Sequence, residues 1–320
     1  MRSFSFPVLL VLLGVGPACT PHVETTPPPA AATAADVALS GASVLIGTGD
    51  IGDCRSNGAA LTAKLMDSVL RADSAAKVHD EAFTLGDNAY TAGSTVDFAL
   101  CFTPTWGDTA KLIMKNIRPS VGNHEHLSSG ASPYYQYFGG RAGPAGRGYY
   151  SYDVGAWHAI VLNSEIMVNV GFTDAERKAQ LDWLDQDLRS NSRLCTVAYW
   201  HHPRFSSGWH GSDKRLAPFW QLLYANGVDL ILNGHDHNYE RFLPQTPEGT
   251  VDSTKGITQI VSGTGGGVLR AFRAKTAPHS AYRVQGHFGV LKLTLGAAAY
   301  RYAFLGVNGA IWDRGGGACH

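Results

Sequence analysis

Residues 228–237 read Val228-Asp229-Leu230-Ile231-Leu232-Asn233-Gly234-His235-Asp236-His237: a short apolar run passes directly into a turn carrying two imidazoles. Residues 228–232 have the length and composition of a strand buried on both faces. The same arrangement recurs upstream. Residues 44–46 run into Gly47-Thr48-Gly49-Asp50, residues 82–85 into Gly86-Asp87-Asn88-Ala89-Tyr90, residues 117–121 into Gly122-Asn123-His124-Glu125, and residues 197–200 into His201-His202-Pro203. Helical patterns lie between these runs: 59–70, with Leu61, Leu65 and Leu70 near one face; a helix opened by the capping box Thr173-x-x-Glu176, with Leu181, Leu184 and Leu188 on one face; and 216–224. Residues 149–163, 257–262 and 288–302 are more purely β. The order predicts a mixed α/β architecture. Because sites in open α/β sheets form outside the carboxyl ends of the strands, the polar turns are expected to converge on one rim.

Taken singly these motifs are weak. Gly-Asp after a strand is more often an Asx-turn than a ligand, Asn123 can serve as a turn residue and His201 can pack in a core. Gly-His-x-His is stronger, because two imidazoles two residues apart on an irregular turn can face neighbouring ions. Independent accidents of packing would not all fall at strand ends, so the set reads as one site. It combines carboxylates, an amide oxygen, a phenol and imidazoles, with no thiolate, which suits Fe, Zn or Mn and argues against Ca. The ligands outnumber the needs of one tetrahedral ion. Two ions sharing a carboxylate would use them, polarising a phosphoryl oxygen and lowering the pKa of a bridging water.

Composition narrows the field further. The chain has 320 residues, with 26 Lys plus Arg against 26 Asp plus Glu, and 44% hydrophobic residues. Zero formal charge, without a basic block, argues against nucleic acid or an anionic membrane surface as the main partner. The 13 His residues are half as numerous as the acids, and His124, His126, His201, His202, His210, His235 and His237 fall in the clusters. Such grouping points to metal or proton chemistry.

Met1-Arg2, an apolar run over residues 4–15 and Gly16-Pro17-Ala18-Cys19 read as a signal segment over residues 1–19. It is too short to span a bilayer as a helix. Cys19 after small residues resembles a bacterial lipoprotein cleavage site, although Gly16 stands where a larger aliphatic is usual. A lipid anchor through Cys19 and simple secretion are the alternatives, and both place the mature protein outside the cytoplasm, in the periplasm or beyond the cell. Residues 20–40, rich in Pro, Ala and Thr, read as a linker, and residues 41–320 as the folded domain. Cys54, Cys101, Cys195 and Cys319 make an even number in an exported chain, which implies two disulfides, with three pairings open.

The order Gly49-Asp50-x-Gly52, Gly86-Asp87-x-x-Tyr90, Gly122-Asn123-His124-Glu125, Val197-x-x-x-His201 and Gly234-His235-x-His237 resembles the calcineurin-like metallophosphoesterases, and within them the purple acid phosphatases. The likeness spans about residues 43–305. The wider superfamily carries histidine two residues after the first aspartate. Here that place is Gly52, and Tyr90, three residues after the second aspartate, is the compensating feature of the purple branch.

The resemblance implies a four-layer αββα sandwich with two mixed β-sheets, of the small type without a large N-terminal β domain. It implies that Asp50, Asp87, Tyr90 and His237 hold Fe(III), with Tyr90 phenolate giving the colour. Asp87 would bridge to a divalent ion (Zn, Fe or Mn) that also takes Asn123, His201 and His235. His202 stays open as the alternative to His201. Asn123, His124 and His210 would contact phosphate, with His124 and His210 as the catalytic histidines and His124 as general acid. The implied reaction is hydrolysis of a small phosphate monoester at acidic pH by a metal-activated hydroxide. A phosphodiesterase or nucleotidase on the same centre, and a non-catalytic metal-binding surface protein, are the rivals. Proximity and the resemblance together favour Cys54 with Cys101 and Cys195 with Cys319.

Other residues carry plainer expectations. His126, His202 and Asp53 read as supporting or surface groups, Glu125 and Asp236 as carboxylates that orient imidazoles, and His158 as packed. Residues 263–267 read as a tight loop, since no Gly-Lys-Ser/Thr follows. Trp200, Phe205, Trp209 and Trp220 suit a cleft wall and a core equally well.

Overall fold

The computed structural model describes residues 41–320; the expected signal segment, Cys19 and the linker through residue 40 lie outside the described residues. In chain order the strands are β1 (Ser43–Thr48), β2 (Asp80–Thr84), β3 (Ile117–Arg118), β4 (Tyr150–Val154), β5 (Trp157–Val161), β6 (Cys195–Trp200) and β7 (Leu230–Asn233). They continue as β8 (Tyr239–Phe242), β9 (Thr258–Ser262), β10 (Ser280–Val284), β11 (Gly289–Leu295), β12 (Ala299–Gly306) and β13 (Ile311–Ala318). One sheet has the order β13-β12-β11-β1-β2-β3 and the other β10-β8-β9-β7-β6-β5-β4. Both are mixed: β1-β2-β3 and β5-β6-β7-β9 are parallel, and their outer neighbours are antiparallel.

Alternation along the strands builds the layers. In β1, Leu45 faces the other sheet, whereas Val44 and Ile46 face the helix Gly58–Ala75. In β6, Val197 and Tyr199 enter the core between the sheets, and Ala198 and Trp200 pack outward against the helices Asp174–Ser190 and Ala217–Ala225. With helices on both outer faces, the central strands are covered on each side, so they read as continuous apolar runs. The result is the expected four-layer αββα sandwich of two mixed sheets.

Three readings are corrected. The strand expected at 117–121 ends at Arg118, because Pro119 has no N–H for the ladder. The buried face of Gly58–Ala75 runs through Ala59, Thr62, Ala63, Met66 and Leu70, leaving Leu61 outside. The β region at the C-terminus extends beyond residue 302 into the β12–β13 hairpin. The capping box is formed as read, with Thr173 accepting from the Glu176 N–H and Glu176 accepting from that of Thr173. Cys54–Cys101 and Cys195–Cys319 are disulfide-bonded, with Cα atoms 5.0 and 5.3 Å apart.

Candidate functional site

The carboxyl ends of β1, β2 and β3 in one sheet and of β6 and β7 in the other meet at one rim. The two sheets are tied there by hydrogen bonds from the Thr48 hydroxyl (2.8 Å) and the Gly49 N–H (2.9 Å) to the Ser262 carbonyl. Asp50, Asp87 and His235 all adopt left-handed backbone, with φ of 59°, 50° and 70°. For non-glycine residues that conformation costs about 1–3 kcal/mol and persists where surrounding bonds enforce it. Here the Asp50 Oδ2 accepts the His235 N–H at 2.8 Å, and the Asp87 Oδ1 accepts the His124 N–H at 2.9 Å. Glycine is required beside them. A Cβ on Gly122 would lie 2.3 Å from Asp87 Oδ1, and one on Gly234 would lie 2.8 Å from Asp50 Oδ2.

The polar atoms form two groups that share Asp87. In the first, the Tyr90 hydroxyl is 2.8 Å from Asp50 Oδ1, 3.1 Å from Asp87 Oδ2 and 3.1 Å from His237 Nε2, which lies 3.2 Å from Asp50 Oδ1. In the second, His201 Nε2 is 3.3 Å from Asp87 Oδ2, 3.0 Å from Asn123 Oδ1 and 3.1 Å from His235 Nδ1. The Nδ1–H groups of His201 and His237 are taken up by the Leu85 and Val268 carbonyls, each at 2.7 Å, so both Nε2 atoms turn inward. His202 faces elsewhere: its Nδ1 pairs with the Ser164 hydroxyl at 2.9 Å. Gly52 has no room for the histidine of the wider superfamily, since a Cβ would lie 2.6 Å from the Asn88 carbonyl oxygen.

These donors fit metal ions. Ligand atoms about 2.1 Å from one ion and at right angles to each other stand about 3 Å apart, the separation found in both groups. Asp50, Asp87 and His201 bring one ligand atom each within 4.8 Å of one another. The pocket also calls for positive charge. Burial favours neutral His201, yet the Asp87 carboxylate lifts it to about 10. Burial, with the charges of Asp50 and Asp87, pushes the Tyr90 phenol well above its ordinary value. A bound cation supplies that charge and favours both imidazole and phenolate. His235 is held well below the usual histidine range by burial and by the imidazoles of His202, His201, His210 and His237, which favours the neutral form that a metal ligand needs.

A cleft of about 360 Å³ opens over the two groups, lined among others by Asp87, Tyr90, Asn123, His124, His210, His235 and His237. His124 packs its ring 4.4 Å from Tyr90, and its Nδ1 pairs with the Thr91 carbonyl. His210 stacks on His235 at 4.1 Å and directs Nδ1 to Asp236 at 3.1 Å. The structure thus brings every residue expected in the site to one place. Sequence reading missed Arg55 and Arg270, which also line the cleft. Arg55 lies one residue past the Asp50-to-Cys54 turn, and Arg270 follows the Gly-rich loop 263–267; neither carries a motif of its own.

The supporting residues divide. Asp236 orients His210 as expected, whereas Glu125 touches no imidazole through a hydrogen bond. It accepts instead the backbone N–H groups of Gly122, Asp87, Asn88 and Ala89, at 2.8, 3.1, 2.7 and 3.2 Å. His202 packs its ring 4.2 Å from that of His235, and burial beside His201 lowers it to about 3. His126 packs against Phe172, and Asp53 pairs with Arg55. Residues 263–267 form a loop whose Gly265 and Gly267 N–H groups donate to the Gly49 and Asp50 carbonyls. His158 is buried between Asp153 and Asp187. Trp200, Phe205 and Trp220 belong to the core, and Trp209 is 58% exposed.

Comparison with known proteins gives the family and the fold. The family model for calcineurin-like phosphoesterase matches residues 44–239. The chain is similar to purple acid phosphatase 18 of Arabidopsis thaliana, 34% identical over 145 residues, covering 42% of this chain and 31% of that protein. It is also similar to human acid phosphatase type 7, 25% identical over 258 residues, covering 70% and 57%. Among solved structures, the purple acid phosphatase PPD1 of yellow lupin (Lupinus luteus) superposes with a TM-score of 0.71 at 21% identity, over 87% of this chain and 54% of that one. GAP50, the anchor in the inner membrane complex of Plasmodium, gives 0.69 at 13%, over 87% and 89%. The chain spans about a third of the length of the plant relatives it matches.

Proposed function

The chain belongs to the calcineurin-like phosphoesterase family, and on that premise we propose that it hydrolyses small phosphate monoesters at a centre of two metal ions. The observation that carries this reading is the pair of donor groups sharing Asp87: Asp50, Tyr90 and His237 on one side, Asn123, His201 and His235 on the other. Bound there, two ions would polarise a phosphoryl oxygen and acidify a water for in-line attack. A phenol between two carboxylates favours Fe(III) in the first group, with Zn, Fe or Mn in the second. Acidic working pH accords with that assignment and with the names of the relatives.

The remaining roles fall to residues at the mouth. His124, fixed through Nδ1, has its Nε2 3.7 Å from Asp87 and part of its ring open to the cleft, where it can give a proton to the departing alcohol. His210, fixed through Nδ1 by Asp236, leaves Nε2 for a phosphate oxygen. Asn123 sits between the second group and the cleft, so its amide can serve both ion and phosphate. We read the protein as exported, secreted or anchored through Cys19, which two disulfides support. Its balanced charge favours a small phosphorylated substrate over nucleic acid. The fold also serves as an anchor in GAP50, but the complete donor set here favours turnover.

Kinetics with p-nitrophenyl phosphate and bis(p-nitrophenyl) phosphate test the reading. The expected result is a higher kcat/KM for the monoester, abolished in Asp87→Asn. A higher value for the diester would overturn the monoester assignment, and full metal content without turnover of either ester would overturn the enzyme.

A further inference from the structure

The two arginines at the cleft differ in how their charge is used. Asp53 grips Arg55 through Nε at 2.8 Å and an Nη at 2.7 Å, and the Asp53 side chain is itself buried. Arg55 is thereby neutralised and fixed in place, with its guanidinium edge still open. Arg270 is exposed, and its side chain has no protein partner among the described residues.

Its backbone, by contrast, is firmly set. Gly267 N–H donates to the Asp50 carbonyl at 2.7 Å, the Val268 carbonyl accepts from His237 Nδ1 at 2.7 Å, and Arg270 N–H donates to the His237 carbonyl at 3.1 Å. Three bonds therefore tie the segment carrying Arg270 to two residues of the first donor group. Of the residues lining the cleft, Asp87 is the sole carboxylate, and it faces the donor groups. An arginine whose backbone is anchored at the mouth, and whose guanidinium has no carboxylate among the cleft-lining residues to neutralise it, is placed to meet an anion on the ligand.

Resting on the proposed phosphatase reading, we infer that Arg270, which lines the same cleft as Arg55, binds a second phosphate group on the substrate, so that the cleft favours bisphosphorylated alcohols over simple monoesters. The reacting phosphate occupies the donor groups and the other phosphate meets the guanidinium fork, whose planar donors match phosphate oxygens better than an ammonium does. Arg270 is then a specificity residue, not a catalytic one.

The test compares fructose 1,6-bisphosphate with fructose 6-phosphate, using p-nitrophenyl phosphate as control. Wild type should favour the bisphosphate in kcat/KM, and Arg270→Ala should lower that preference about tenfold, mainly through KM, with Arg270→Lys retaining part of it. Calorimetric titration with methylenediphosphonate and with inorganic phosphate gives a readout independent of turnover. Arg270→Ala should weaken the diphosphonate more than the phosphate. Equal losses for both ligands and both sugar phosphates would overturn the inference while leaving the phosphatase intact. Absence of turnover of p-nitrophenyl phosphate by metal-loaded wild type would instead strike the reading on which it rests.

Discussion

Glu125 receives the backbone N–H of Asn88 at 2.7 Å, and this bond joins the loop after β2 to the turn after β3. Together with the Gly122, Asp87 and Ala89 N–H groups, it makes one fully buried carboxylate the acceptor for two segments that carry Asp87, Tyr90 and Asn123. Each buried donor left without an acceptor costs about 1–3 kcal/mol. Glu125→Ala should therefore lower unfolding stability by about 3 kcal/mol or more, with Glu125→Gln intermediate because one oxygen remains. Urea unfolding of the three proteins checks the order; an alanine variant as stable as wild type would contradict it.

His201 and His202 are adjacent in sequence but face different partners. His201 Nε2 points at Asp87 and Asn123, whereas His202 is held by Ser164 and packs on His235. His201→Ala should lose one bound ion and nearly all activity. His202→Ala should keep both ions and lose activity by about 10–100-fold, as expected for a group that only supports a ligand. Elemental analysis of both variants separates the roles, and the reverse pattern would reassign the ligand.

The His158 imidazole gives a pH-dependent contribution to stability from outside the donor groups. Burial opposes its charge, but Asp187 at 2.8 Å and Asp153 at 3.2 Å outweigh burial and raise its pKa, while Arg193 shares Asp153. A raised histidine pKa means stability that is full below the unfolded value, about 6.5, and is lost as pH climbs through the higher folded value. The Tm gap between wild type and His158→Gln should be widest near pH 5.5 and narrow by pH 8.5. A gap that grows with pH would contradict the assignment.

The Cys54–Cys101 disulfide closes a segment of sequence separation 47 next to the Asp50 turn. On the chain-entropy account such a closure contributes about 4 kcal/mol. Replacing both cysteines by serine should lower the Tm and accelerate proteolysis near residues 54–101, with limited digestion as the check. Unchanged stability would show that the link constrains nothing.

Much of this centre was legible because its chemistry sits where apolar runs stop. Asp50, Asp87, Asn123, His201 and His235 all follow such runs, and parallel strands bring their ends together. The mixed α/β character followed from the same runs and the helical patterns between them, whereas the four-layer αββα arrangement came from the family resemblance. What escaped the sequence depends on backbone contacts that leave no side-chain pattern. Glu125 looked like a partner for imidazoles, yet its acceptors serve main-chain N–H groups. Pro119 cut β3 short despite an apolar flank. Arg55 and Arg270 reach the cleft from loops whose path is set by Asp53 and by the His237 backbone, neither of which a strand-end pattern encodes.

The central claim is that Asp87 joins two ion sites in one chain, and the metal-to-protein ratio of the purified, iron- and zinc-supplied protein tests it most directly. The account predicts two ions per chain, falling below two in Asp87→Asn together with phosphatase activity. A ratio of one or less in a wild-type preparation that hydrolyses p-nitrophenyl phosphate at full rate would contradict it.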